Sequence, residues 1–222
     1  MQEGDIMLKK FSVKNFKGFE KELVFDLSNI NDYQFNTQCI NNGIAQNSLI
    51  YGKNGSGKSN LGFAIFDIVM TITDKSREMI KEYINYKNLN NKMSEDTEFK
   101  YEFQFGNDIL IYEYRKKDLF TVLYEKITFN GNTILEYDFN NKESKIINIE
   151  EAKNLTWGNE DSKQNISSVK YIFNNTILPE EHPISKLMSF VNGMLWFRSV
   201  RDNQYIGFKN GSETLVDIIL KN

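Results

Sequence analysis

The chain has 222 residues, 40% of them hydrophobic and 14% aromatic, which is enough for one sizeable core and too apolar for a disordered segment. A net charge of -3 gives no overall electrostatic reason to bind nucleic acid or an anionic membrane, so such contacts must be argued from a local site. One cysteine, Cys39, and one histidine, His182, exclude an internal disulfide, a cysteine-based metal cluster and a zinc site built on two histidines.

The N-terminus mixes Glu3, Asp5, Lys9 and Lys10 without the apolar stretch of an export signal, and the longest apolar run, 61–72, is broken by Asp67. We therefore expect neither export nor a membrane span, and a reducing, cytoplasmic setting. The Asn-x-Ser/Thr triplets, such as the one at Asn154, then follow from the abundance of asparagine and are not glycosylation sites.

Residues 8–16 alternate apolar and polar in part, with Phe11, Val13 and Asn15 in step, which predicts a half-buried strand. A second strand is expected at 23–27. Residues 28–47, rich in Asn, Gln, Asp and Ser, hold no period and predict a loop. Ser48-Leu49-Ile50-Tyr51 then predicts a short apolar strand running into the glycine-rich segment 52–59. Leu61, Ala64, Ile65, Ile68, Val69 and Ile72 stand at helical spacing and predict a buried helix over 60–73. Met79, Ile80, Tyr83 and Ile84 predict a second helical stretch within 75–95, its charged residues 74–82 forming a solvated face.

From residue 98 the period becomes two. Phe99, Tyr101, Phe103 and Phe105 alternate with polar residues, a turn follows at 106–108, and strands are predicted at 109–114, 122–129 and 133–139. The Asn130-Gly131 dipeptide between the last two is a strong hairpin signal. Residues 140–164 are polar, with a short helix expected around 149–155, and 168–173 predicts one more strand. Pro183 opens a predicted helix carrying Ile184, Leu187, Met188, Val191 and Leu195 on one face. A further helix is expected at 215–220, cut off by the end of the chain. The changes of period divide the chain into residues 1–95, with the N-terminal strands, the glycine loop and its helices; 96–175, an antiparallel meander; and 176–222, a helical segment expected to be truncated.

Gly52-Lys53-Asn54-Gly55-Ser56-Gly57-Lys58-Ser59 matches Gly-x4-Gly-Lys-Ser, a pattern arising by chance in on the order of one chain in a hundred of this size. Its place between a predicted strand and a predicted helix is the arrangement of a phosphate-binding loop. Glycines 52, 55 and 57 allow backbone conformations closed to residues with a Cβ and bring successive N–H groups toward an anion. The helix N-terminus adds its positive end at the same spot. Lys58 is expected to reach the β- and γ-phosphates of ATP, and Ser59 to offer its hydroxyl to Mg2+. Asn60 completes the run of expected nucleotide-binding residues.

Leu8-x-x-Phe11-x-Val13-x-Asn15-Phe16-Lys17-Gly18-Phe19, followed some thirty residues later by Ile50-Tyr51-Gly52-Lys53-Asn54-Gly55-Ser56-Gly57-Lys58-Ser59-Asn60-Leu61, resembles the ABC-type ATPase heads of the SMC, RecF and OLD group. Within that group, the spacing and the Trp196-Phe197-Arg198 stretch resemble ATP-binding proteins of bacterial abortive-infection and phage-defence systems. The resemblance covers residues 8–66 best, then 98–139. It implies an α/β fold of the P-loop NTPase class, here the N-terminal lobe of an ABC-type head with an antiparallel β subdomain and a helical C-terminal segment. It further implies cofactors ATP and Mg2+, a head-to-tail homodimer with ATP between the heads, and a partner effector protein, often a nuclease. No Walker B carboxylate, signature motif or catalytic glutamate is recognisable, so the chain resembles the N-terminal part of a longer ATPase, binding nucleotide weakly and hydrolysing it poorly alone.

Lys17 stands where related heads place a basic residue near the phosphates; it is either a second cation on the nucleotide or a solvated lysine at a strand end. Neither Gln104, inside a predicted strand, nor Gln164, in polar sequence, is assigned as the metal-sensing glutamine of such heads. His182 before Pro183 suits a surface role at a helix N-terminus, and Cys39 lacks the basic neighbour of a nucleophile. Trp196 and Phe197 are expected in a core, with Arg198 and Arg201 as candidates for a partner surface. The competing function is a DNA-repair or chromosome-clamp head gripping duplex DNA, which long heptad arms would favour and which are absent from the sequence. A small P-loop kinase fits less well, having no N-terminal Asn-Phe-Lys strand or large antiparallel insert, and an ABC transporter subunit is likewise disfavoured.

Overall fold

The structure is a computed structural model that describes residues 6–31, 34–74, 83, 85–90, 95–141, 145–157, 165–198 and 204–207; of residues 197–198 and 204–207 only the backbone is described. It is a mixed α/β arrangement in which one large antiparallel sheet carries few helices. Strand β1 (Ile6–Lys14) pairs with β2 (Leu23–Asp26) on one side and with β5 (Thr97–Phe105) on the other. A small separate hairpin, β3 (Ile40–Asn41) and β4 (Ile44–Ala45), lies between β2 and the glycine loop. The meander continues from β5 through β6 (Asp108–Lys116), β7 (Val122–Phe129) and β8 (Asn132–Asp138) to β9 (Lys145–Ile147). The seven-stranded order is β2-β1-β5-β6-β7-β8-β9, so the N-terminal strands share a sheet with the meander.

The two-residue period of β5 decides which face is buried. Thr97, Phe99, Tyr101, Phe103 and Phe105 point into the core, while Glu98 and Lys100 face solvent. Lys9–Glu102, Lys14–Glu98, Lys100–Glu113 and Lys126–Glu136 ion pairs tile that outer face across neighbouring strands. Such exposed pairs contribute at most a few tenths to 1 kcal/mol each, so the inner face carries the stability. The β7–β8 turn is the expected Asn-Gly hairpin: Asn130 (φ 48°) and Gly131 (φ 79°) are both left-handed, as a type I′ turn requires.

Among the described residues, three helices cover the inner face. Helix α1 (Lys58–Ile72) lies against the aromatic rings of β5 and β6, with the Tyr101 hydroxyl donating to Ala64 O at 2.9 Å. Helix α3 (Pro183–Gly193) packs beside it and sets Phe190 against Phe103, ring centroids 5.1 Å apart. Helix α2 (Ser168–Asn175) completes the layer, and a further short hairpin, β10 (Leu195–Arg198) with β11 (Gln204–Gly207), follows α3.

Five sequence expectations are corrected. Residues 168–173 are helical, not a strand: Ser167 accepts from Lys170 N, Glu125 accepts from Ser168 N, and Val169 and Ile172 bury the same side. Leu195 starts β10, because α3 ends at Gly193. The loop expected at 28–47 contains a 3-10 turn (Thr37–Cys39) and the β3–β4 hairpin. Residues 48–51 are assigned to no strand; Leu49 and Tyr51 are 87% and 89% exposed, and among the described residues no strand lies beside them to accept their backbone hydrogen bonds. The short helix expected around 149–155 is a 3-10 turn, Glu150–Ala152. Most of the predicted helix within 75–95 and all of 215–220 lie outside the described residues. No helix among the described residues is long and apolar enough to cross a membrane.

Glu125 is fully buried, accepting from the Tyr112 hydroxyl at 2.5 Å and from the first amide of α2. Burial pushes its carboxyl above the ordinary 4.5, against the pull of those donors. The folded chain thus holds this proton in a pH window above 4.5 where the unfolded chain has released it, and the associated stability is lost as pH rises through the folded-state value. Glu125→Gln cannot ionise. Urea unfolding of both proteins from pH 4 to 8 is expected to show the variant gaining on the wild type as pH rises; parallel pH profiles would exclude a buried titrating Glu125.

Candidate functional site

The glycine loop sits where the chain leaves the exposed stretch 48–51 and enters α1. Gly57 is the N-cap residue of α1 with φ 94°, a left-handed conformation that a side chain would strain, and no side chain caps the helix. No acidic residue stands in the first turn either. The positive end of α1 is therefore open, the electrostatic condition for holding an anion. The turn is closed internally by Ser56 N donating to Lys53 O at 3.2 Å, and the first helical bond runs from Leu61 N to Gly57 O.

Lys58 folds back over this loop. Its Nζ donates to Gly52 O at 2.7 Å and to Lys53 O at 2.8 Å, so the ammonium spans the concavity. Lys53, Asn54, Gly55, Ser56 and Ser59 are exposed, and Asn60 is half-buried. Gly52 is tight: a Cβ there would come within 3.0 Å of Ser56 Oγ.

The second sequence motif packs onto the first. After β1 the chain turns through Phe16 to Phe19, whose backbones exchange two hydrogen bonds at 3.0 and 2.8 Å. Lys17 takes a left-handed φ of 46° to make that turn. Its Gly18 approaches Asn60 so closely that a Cβ would lie 3.0 Å from Asn60 Nδ2, and Phe19 presents its ring edge 3.3 Å from the Cβ position of Gly57. Side chains at Gly18 or Gly57 would push the turn and the loop apart. The turn is itself clamped: Asn15, buried and left-handed, donates from Nδ2 to Glu95 O at 2.9 Å and accepts at its carbonyl from Thr97 Oγ1. Lys17 N donates to Tyr86 O, and Asn88 Nδ2 donates to Lys17 O at 2.6 Å.

Lys17 Nζ lies over the rings of Phe63, Tyr83 and Phe16, with centroids at 5.2, 5.7 and 5.9 Å. Its backbone adjoins the loop through Gly18, while its charge rests on aromatic faces, a favourable placement for a cation beside buried rings. Trp196 fills a core position: its indole stands 4.7 Å from the Phe63 ring and 5.4 Å from that of Phe66. His182 caps α3, its Nδ1 accepting from Ile184 N at 3.2 Å, and burial lowers its basicity, which keeps that nitrogen an acceptor. The side chains of Phe197 and Arg198, and all of Arg201 and Gln164, fall outside the described residues. Gln104 lies on β5 and donates to Gly106 O, far along the sheet from the loop in sequence and engaged locally.

Among the described residues no group of three or more His, Cys, Asp or Glu side chains could hold a metal ion. Ser59, one residue beyond Lys58 on the open end of α1, offers a neutral oxygen, which fits a cation arriving with its own phosphate ligands and not a free ion. Three participants had no role assigned from sequence. Phe19 supports Gly57, Asn15 locks the turn, and Asp67 anchors α1 from below. For Asp67 the signal was present as the one charge interrupting an apolar helix. No protein-family model matches the chain, and no curated protein matches it.

Gly62, one turn beyond Lys58, supports this end of α1 through Trp196: a Cβ there would lie 2.8 Å from Trp196 Cζ2 and within 3.3 Å of two further ring atoms. Alanine in place of a mid-helix glycine gains about 1 kcal/mol of propensity. Overpacking a ring already wedged between Phe63 and Phe66 costs about 1–3 kcal/mol. The clash wins. Gly62→Ala is expected to lower Tm by up to about 8 °C and to red-shift tryptophan emission in a Trp157→Phe background; a raised Tm would mean the indole moves aside freely.

Proposed function

We propose that this chain binds the triphosphate of ATP, with Mg2+, in the cradle Gly52–Ser59. The observation that carries the reading is the combination of the Gly-x4-Gly-Lys-Ser pattern with an uncapped helix N-terminus and a lysine whose ammonium already spans the loop. Backbone amides at the start of α1 would meet phosphate oxygens, Lys58 would leave its two carbonyls for the β- and γ-phosphates, and the Ser59 hydroxyl would contact the metal. Asn60 would stay against Gly18, and Lys17, whose ammonium rests on the Phe63, Tyr83 and Phe16 rings, would have to swing off them to serve as a second cation.

The Asn15–Phe19 turn packed on the loop supports the finer reading as well, since the two sequence marks of ABC-type heads touch each other. On this reading the chain is the ATP-binding N-terminal lobe of an ABC-type ATPase in phage defence, with ATP-driven dimerisation of heads coupled to an effector protein. Hydrolysis needs a group to orient the attacking water and a carboxylate to share the metal. Neither stands in the loop or its first helical turn, so both would come from another segment or a second chain. DNA as the gripped partner draws no support from the outer sheet face, where acidic and basic side chains are paired across strands.

Lys58→Ala tests the assignment. Removing one charge-assisted interaction of about 1.5–3 kcal/mol is expected to weaken binding of a fluorescent ATP analogue by about 10- to 100-fold in the presence of Mg2+. Tm should stay nearly unchanged, because Lys58 anchors only the exposed loop. Equal affinity of variant and wild type in the titration would sink the assignment.

A further inference from the structure

Helix α1 poses a positioning problem that apolar packing alone does not solve. From Leu61 to Ile72, ten of its residues are buried, and they include Phe63, Ala64, Phe66, Asp67, Ile68, Val69 and Met70 in near-unbroken succession. A helix apolar on all sides is driven into the core without a preferred rotation. Yet one residue of slip turns it by about 100° and advances it by about 1.5 Å, which would carry Gly57 off Phe19 and Lys58 away from the loop carbonyls.

Directional bonds supply what burial lacks. The Asp67 carboxylate, fully buried, accepts from the Tyr114 hydroxyl at 3.0 Å, the Tyr86 hydroxyl at 3.0 Å, Lys116 Nζ at 3.1 Å and Thr71 Oγ1 at 3.1 Å. Lys116 is itself 1% exposed, bonds Thr71 Oγ1 at 3.1 Å and lies 5.3 Å from the Tyr86 ring centroid. Tyr114 and Lys116 belong to β6. Tyr86 belongs to the segment whose carbonyl holds Lys17 N, hence the turn under the glycine loop. One carboxylate thus ties the helix to the sheet and to the turn together. A buried ion pair is poor value as a stabiliser, because its desolvation is costly and an apolar replacement of similar volume is often neutral or better; fixing a register is its best-attested use.

We propose that Asp67, held by Lys116, Tyr86 and Tyr114, is a positioning residue for the phosphate loop, fixing the rotation and height of α1 so that Gly57 meets Phe19 and Lys58 meets the loop. The link to nucleotide affinity rests on the ATP-binding reading above; the mechanical claim about the loop does not.

The test replaces the whole network by apolar groups of similar shape: Asp67→Leu, Lys116→Met, Tyr86→Phe and Tyr114→Phe together. Removing donors and acceptor at once leaves no orphaned charge, so Tm is expected to stay within a few degrees. Hydrogen exchange of the amides at 61–64, the first hydrogen-bonded ones of α1, should nevertheless quicken at least tenfold in the nucleotide-free protein, with β7 and β8 unchanged. Affinity for the ATP analogue should fall about tenfold or more. If the combined variant does not fold, Tyr86→Phe, which deletes one hydroxyl, is expected to quicken the same amides about threefold. Unchanged exchange at 61–64 in either folded variant would overturn the proposal and leave the network as core polarity alone. Absence of ATP binding by the wild type would refute the functional reading, while the exchange comparison would still decide this one.

Discussion

Helix α1 has to satisfy two opposed demands, and most of the structure around it follows from how they are met. Its first turn must lie open, with unshielded backbone N–H groups and exposed Ser59, while nearly everything from Leu61 onward is out of water. Burial holds the helix down: each fully buried Phe, Ile or Val side chain contributes about 1.5–3 kcal/mol. That term is indifferent to rotation. The hydroxyls of Tyr83 on Phe63 O and of Tyr101 on Ala64 O, and the Asp67 carboxylate below them, are where direction enters. Their partners come from β5, β6 and the segment at 83–86, so the meander is the floor on which the loop's geometry is set.

The loop is braced unequally at its two ends. On the helix side, Gly57 rests on Phe19 and Asn60 on Gly18, and the turn carrying both is fastened by Asn15, Tyr86, Asn88 and Thr97. The left-handed Asn15 and Lys17 store some backbone cost, which those bonds offset. On the other side, residues 48–51 are exposed and belong to no strand, with Leu49 and Tyr51 in solvent. A run of that composition normally gains its stability from neighbours on both edges. Among the described residues it has none, and the described contacts that brace the cradle come from the helix side.

This asymmetry also explains what the sequence made legible. Period-two alternation in β5 to β8 and the Asn130-Gly131 turn were readable because they are local rules, each enforced within a few residues. The α1 helix was readable for the same reason. Residues 48–51 read as a strand because apolar composition reports a preference for burial, while strand formation requires a partner that composition does not specify. Residues 168–173 carried apolar side chains at both two- and three-residue spacings; the cap from Ser167 and the distant carboxylate of Glu125 decided for helix. Leu195 continued the spacing of α3 past Gly193, where the helix stops. In the site, the glycines and Lys58 announced themselves through a fixed pattern. The contact of Gly18 with Asn60, forty-two positions apart, and the convergence of Tyr86, Tyr114 and Lys116 on Asp67 are tertiary facts that only the fold reveals.

The position of Lys58 bears on what an anion meets on arrival. Its ammonium makes two bonds to neutral carbonyls at an exposed loop. On the proposed reading, trading neutral carbonyls for phosphate oxygens sets a full negative charge against the ammonium, so Coulomb attraction favours the exchange without requiring the loop to refold. The same two bonds have a second effect. By tying Gly52 O and Lys53 O to one ammonium, they keep the concavity shaped before it is filled. A cradle held in this way loses less conformational entropy on binding than a slack glycine loop would. That gain survives only while the helix bearing Lys58 stays in register, which returns the chemistry of the exposed loop to the buried carboxylate nine residues further along the same helix.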